Sequence, residues 1–285
     1  MIIMINWNKY DIFKSFNLRQ KTILIIVLTA FLLLVIALSS YMIKSNDITT
    51  NFLVRQQAPS LEHIFGTDWL GRDMFNRTMK GLGLSLYIGT ISSILSSIIA
   101  IFISFISSIN KYCDILVSWI IDLFASIPHL LLLIMISICL GKGAYGVIIG
   151  VAVTHWISLA RVLRVEIKEI QNTEYVKLSY KYGRNKYFIA RYHILPLVFS
   201  QIIVGTLLIF PHAIMHEASI TFLGFGLSAH EPAIGIILSE SMKYLVTGAW
   251  WLAFFPGLCL LIIVLLFDLI GEEISKLLDP TKANT

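Results

Sequence analysis

His212 and His216 stand four residues apart, and Glu217 follows directly. On a helix this spacing places both imidazoles on one face, one turn from each other. Two chemistries suit the group. The histidines could share a transition-metal ion in passing, or they could be buried and hydrogen-bonded with the carboxylate. At the level of sequence both stay open. Asp122, His129, His155 and Asp268 also interrupt apolar stretches or stand at their ends. An uncompensated charge within lipid costs at least roughly 2.5–3.5 kcal/mol on insertion scales, so each needs a partner or an aqueous surface.

Other chemistry is missing. The chain has no Gly-x-x-x-x-Gly-Lys-Ser/Thr phosphate loop, no Gly-x-Ser-x-Gly nucleophile turn and no His-Glu-x-x-His zinc helix. It is therefore expected to carry no catalytic residue and no cofactor of its own. Cys113, Cys139 and Cys259 lack the paired spacing of a disulfide or zinc site and read as packing residues.

The elements that must position these side chains are membrane helices. A chain that is 57% hydrophobic and 14% charged is a polytopic membrane protein, not a soluble one. A bilayer core about 30 Å thick needs roughly 20 apolar residues per span. Six stretches qualify, at about Thr22–Ile43, Leu84–Ile109, Ile115–Leu140, Ala144–Ala160, Leu197–Phe222 and Gly248–Ile270. The expected fold is all-α. The first run, behind Lys9, Lys14, Arg19 and Lys21, is too long for a cleaved signal peptide and is expected to be retained. The net charge of +5 is spread between apolar runs, which argues for lipid and against nucleic acid as the surrounding partner. With a cytoplasmic N-terminus, 15 of the 22 Lys and Arg residues face the cytoplasm, eight of them between Arg161 and Arg191. The positive-inside rule then favours both termini inside.

Two polar intervals break the apolar pattern. The first, about Lys44 to Gly83, is expected outside. It contains Gly66-Thr67-Asp68-Trp69-Leu70-Gly71-Arg72-Asp73, where Gly66 and Gly71 permit turns and Trp69 suits the headgroup level. The second, Arg161 to Pro196, predicts a short cytoplasmic helix. Asn172 or Thr173 can cap it, Glu174 puts negative charge in its first turn, and Gly183 can end it in a left-handed conformation. Such a helix could lie on the membrane surface, but at this length it is marginal without a packing partner. Pro196 suits the first turn of the fifth span.

With these residues placed, the sequence from about His63 to Pro280 resembles permeases of the binding-protein-dependent ABC importers, in the branch for dipeptides, oligopeptides and nickel. That family has a cytoplasmic loop of the form Glu-Ala-Ala, three residues, Gly, nine residues, Ile-x-Leu-Pro. The corresponding positions here are Lys177-Leu178-Ser179, Gly183 and His193-Ile194-Leu195-Pro196. Spacing is kept while the Glu-Ala-Ala letters are absent, so no specific ion pair at Lys177 carries over. Gly66 to Asp73, Glu217 to Leu227, and Trp250 to Gly257 followed by Leu278-Asp279-Pro280 resemble the same branch.

The resemblance implies the six-helix type I importer permease fold seen in methionine permeases, with residues 1–83 as tail, first span and loop and 84–285 as permease core. A coupling helix near 173–183 would meet an ATPase through Glu174, Tyr175, Lys177, Leu178, Ser179, Tyr182 and Gly183. Gly66, Asp68, Gly71, Arg72, Asp73, Pro196, Glu217, Gly224 and Gly226 would be structural. It further implies a bacterial cytoplasmic-membrane complex with a second homologous permease subunit, two ATPase subunits holding ATP and Mg, and an extracytoplasmic solute-binding protein. Cargo would be peptide, nickel or another metal chelate. The rival class is an ion-coupled secondary transporter or channel, which usually places several acids at the midplane or repeats a broken-helix unit in inverted form; no such repeat is seen.

Overall fold

The computed structural model describes residues 17–278; Lys9, Lys14 and the Asp279-Pro280 pair lie outside the described residues. The chain forms ten helices there, α1 (Leu18–Met42), α2 (Met74–Ser107), α3 (Lys111–Ser126), α4 (His129–Cys139), α5 (Gly143–Gln171), α6 (Glu174–Lys181), α7 (Lys186–Ile189), α8 (Leu195–Phe222), α9 (Ile234–Met242) and α10 (Trp251–Leu278). A π turn at Ala190–Ile194 joins α7 to α8. The β pairing among the described residues is a single bridge between Thr67 and Asp73.

Five helical segments are long and apolar enough to cross a bilayer: Arg19–Met42, Met74–Ser107, Gly143–Gln171, Lys186–Phe222 and Trp251–Leu278. The bent pair α3–α4 makes a sixth if it is one crossing.

α2 is the centre of the bundle. Its buried face is built from small residues, among them Gly81, Ser85, Gly89, Ser93, Ser97, Ala100 and Ser104, which let α5 and α8 approach closely. Several hydroxyls on this face offset the cost of burial by bonding to carbonyls, whereas Ser92 and Ser96 are buried there without a partner among the described residues. Ser97 Oγ donates to Ser93 O at 2.8 Å, and Ser104 Oγ reaches both Ala100 O and, across to α5, Ala160 O at 3.2 Å. Thr206 of α8 donates to Ser97 Oγ at 2.8 Å. α1 joins the same helix lower on its path, where Lys80 Nζ donates to Ser40 O and Ile43 O.

Three expectations from sequence are corrected. The third span is not one rod: α3 and α4 meet at a 92° bend. Pro128 disfavours helical backbone at the residue before it, and Ile127 is accordingly extended, at φ −91° and ψ 133°. The fifth span starts at Lys186, well before Leu197. Pro196 nevertheless stands in the first turn of α8, as expected, directly after a π turn from which Leu195 N–H reaches back to Ala190 O. Finally, the stretch after Gly226 holds a helix, α9, that the sequence reading did not foresee. It presses so closely on α8 that a Cβ at Gly235 would lie 2.4 Å from Ala218 O.

Candidate functional site

Three arrangements collect the residues singled out by sequence. The first is α6. Thr173 occupies its N-cap position without capping, and its hydroxyl donates backward to Ile170 O at 2.6 Å; the Asn172 side chain donates to Lys168 O. Glu174 stands in the first turn and pairs with Lys177 at 3.0 Å on an exposed face. The helix closes as expected. Gly183 has φ +78°, its N–H meets Tyr180 O, and Arg184 N–H returns to Ser179 O. These are the bonds of a helix terminated by a left-handed glycine.

The inward face of α6 is narrow. Val176 is completely buried in a cluster with Ile167 and Ile170 of α5, Ile194 of the π turn and Val198 of α8. Ser179 Oγ meets His193 Nε2 at 3.1 Å, and Tyr175 packs edge-on against the same imidazole. The outward side carries Leu178 and Tyr182, with Tyr175 exposed at its edge, while the partly exposed Tyr180 turns toward α2 and the π turn. Val176 and His193 thus fix the helix to the roots of α5 and α8, and neither stood among the coupling candidates. Both lie within motif stretches, but nothing in the sequence says which way they face.

The second arrangement caps the opposite end of the bundle. Asp68, fully buried, accepts from Leu70 N–H and Arg72 N–H, each at 2.9 Å, from Arg72 Nε at 2.6 Å and from Arg77 Nη1 at 3.1 Å. Arg77 Nη2 donates to Glu240 of α9 at 2.5 Å. Asp73 caps α2 through Asn76 N–H and holds His63 Nδ1 at 2.7 Å. Gly66 and Gly71 adopt φ of +71° and +73°, and Gly71 is additionally required by space, since a Cβ there would lie 1.7 Å from Asn51 O. Trp69 does not sit free among headgroups. Its ring stacks on Tyr244 at 4.6 Å, with Arg72 and Arg77 over its face. Arg77 and Glu240 were missed by sequence. In the sequence Arg77 falls in the polar interval before Leu84, and only the extension of α2 back to Met74 places it inside the bundle, where a buried arginine demands an acid.

The third arrangement lies inside the bundle, around the bend. Glu217 is fully buried, and its carboxylate accepts from Ser85 Oγ at 2.7 Å and from Thr221 Oγ1 at 3.1 Å. It does not hydrogen-bond His212 or His216, so the expected His–Glu pairing gives way to hydroxyl donors from α2 and α8. Thr221 Oγ1 also accepts from Leu227 N–H, which clamps the turn after α8. Gly224 there has φ +83°, while Gly226 is needed for contact, a Cβ lying 2.2 Å from Thr221 Oγ1. Ser137 and Lys142 donate to Phe225 O and Gly224 O, which ties this turn to the α4–α5 hairpin.

His216 faces away from Glu217, toward His129 at the start of α4 and His155 in α5. His212 is exposed one turn earlier and lines a cavity of about 270 Å³ with His155 and Gln201. Asp122 is 78% exposed and lies 3.9 Å from Arg161, while Asp114 is bound by Arg164 at 2.6 Å and Lys168 at 2.7 Å.

Residues 92–281 match the family described as binding-protein-dependent transport system inner membrane component. The chain belongs to that family. The permease is 31% identical over 250 residues to the dipeptide transport system permease protein DppC of Bacillus subtilis (strain 168), covering 87% of this chain and 78% of the relative. It is 33% identical over 270 residues to the oligopeptide transport system permease protein OppC of the same organism, covering 94% and 87%. Among solved structures, the permease resembles a chain of the MetNI methionine ABC transporter in an inward facing conformation, with a TM-score of 0.59 at 20% identity, covering 72% of this chain and 98% of that one. At that identity the likeness concerns the fold, and it agrees with the six-helix importer permease fold expected from sequence. The permease is accordingly a multi-pass membrane subunit of an ABC importer.

Proposed function

We propose that the permease forms half of the membrane path of an ATP-driven peptide importer, with α6 as the part that receives force from an ATPase subunit. The peptide reading is supported by the dipeptide and oligopeptide permeases it resembles. In this reading a second homologous permease completes the core and two ATPase subunits carry ATP and Mg. An extracytoplasmic solute-binding protein delivers the cargo. Both termini are cytoplasmic, and coupling needs no cofactor within this chain.

The observation that carries the proposal is the two-sidedness of α6. Val176 and Ser179 lock the helix to α5 and to the foot of α8, while Tyr175, Leu178 and Tyr182 offer an apolar, aromatic surface outward. Closure of the ATPase pair would move α6 together with those two long helices as one lever, and α5 and α8 carry the residues around the bend. To switch the path between 1:99 and 99:1 populations, nucleotide must favour one arrangement by about 5.5 kcal/mol.

The test is ATP-dependent uptake of a labelled peptide by the reconstituted complex carrying Tyr182→Asp or Gly183→Pro. Uptake should be lost and the ATPase should fail to co-purify, with membrane insertion intact. Normal uptake in both variants would remove α6 from the mechanism.

A further inference from the structure

We propose that His129, His155 and His216 form a binding site for a divalent transition-metal ion at the bend between α3 and α4. The three residues come from three helices, α4, α5 and α8, and each offers one ring nitrogen such that all three lie within 4.8 Å of one another. His129 Nε2 and His155 Nε2 are 3.2 Å apart. Metal–nitrogen bonds of about 2.0–2.1 Å in tetrahedral geometry put neighbouring ligand atoms about 3.3 Å apart. Two of the three ligands are therefore already at the required separation, and the ligand nitrogen of His216 lies within 4.8 Å of both.

The tautomer of His155 is one that can bind an ion. His155 Nδ1 lies 3.0 Å from Val151 O, a group that can only accept, so Nδ1 carries the proton and Nε2 presents a lone pair. This is the outer contact that orients metal-binding imidazoles. The lone pair points at His129 Nε2. His216 touches both rings, at centroid distances of 4.9 and 5.0 Å, yet makes no hydrogen bond among the described residues. A polar ring inside a membrane bundle, turned toward two others and bonded to neither, is satisfied by a shared cation. Three neutral imidazoles suit zinc, nickel, cobalt or copper. His129 and His216 are only half-buried and lie beside exposed Pro128 and His212, so the fourth coordination position opens onto that surface. The site is independent of the peptide reading.

The experiment titrates the complete importer, reconstituted in nanodiscs, with Co²⁺ and follows its ligand-field absorption, with Zn²⁺ as competitor. One Co²⁺ per permease chain is expected, displaced by Zn²⁺. His129→Gln and His216→Gln should each weaken binding by at least roughly tenfold, and His212→Gln should leave it unchanged. Co²⁺ uptake that is not stoichiometric, or that survives both triad substitutions, would overturn the proposal. Folding of the variants is checked by their recovery as intact complexes. A second arm measures uptake of a metal-free peptide before and after chelation. Slowing by chelation in wild type but not in His216→Gln marks the ion as resident and used in transport; indifference shows that uptake of a metal-free peptide does not need it. Either result upholds the site once Co²⁺ binding is established.

Discussion

Arg77 and Glu240, 163 residues apart in sequence, meet at 2.5 Å and fasten the start of α2 to α9. Arg77 is almost wholly buried and also bonds Asp68, so one guanidinium serves two acids. Removing it leaves Asp68 buried with a single cationic partner. Breaking a buried pair in this way typically costs about 3–5 kcal/mol. Arg77→Met should therefore lower the thermal midpoint of the purified complex sharply. Asp68→Asn/Arg77→Met together should recover part of the loss, which a melting series in detergent will reveal.

Glu217 gives a second, smaller prediction. Glu217→Leu strands the Ser85 and Thr221 hydroxyls, each a buried donor without its acceptor, at about 1–3 kcal/mol each. Glu217→Gln keeps a carbonyl acceptor and should cost clearly less. Equal destabilisation of the two variants would mean that charge, not hydrogen bonding, is what the position requires.

The glycines of the turn after α8 should rank by space as well as by conformation. Gly224→Ala meets open surroundings and carries only the left-handed backbone cost, roughly 1–2 kcal/mol. At Gly226 an added Cβ would lie 2.8 Å from the Thr221 Cα, a backbone atom that cannot swing aside. Gly226→Ala should be the more damaging variant in both yield of complex and thermal midpoint.

Much of this was legible in sequence because it is local. Apolar length gave the spans, and the Thr173–Gly183 pattern gave α6 nearly to its ends, since Gly183 can stop a helix at +78° without help from elsewhere. What escaped depends on distant parts meeting. His129 and His155 are 26 residues apart, at the start of α4 and within α5, and the hairpin that folds α5 back along α4 brings their rings together. The pairing of His212 with His216 was read from helical spacing alone. α8 does turn them to neighbouring surfaces, but His216 finds its companions on α4 and α5. α9 was overlooked because nine residues with Gly235 near the start give little periodic signal, and its position is set by contact with α8 and by Glu240.

The anchoring of α6 yields a prediction that separates folding from coupling. Val176→Ala removes the one fully buried side chain of the helix while leaving Tyr175, Leu178 and Tyr182 in place. ATPase binding should persist and ATP hydrolysis should continue, while peptide uptake per ATP falls. Unchanged stoichiometry of uptake to hydrolysis would show that α6 moves α5 and α8 through some other contact.

The most direct measurement is disulfide or short-linker cross-linking from a single cysteine at position 178, in a permease whose Cys113, Cys139 and Cys259 are replaced and whose uptake is intact. Leu178 lies on the exposed side of α6, so it should join to an ATPase subunit in high yield, and the yield should change when nucleotide closes the ATPase pair. An active complex in which position 178 reaches no nucleotide-hydrolysing subunit would contradict the account.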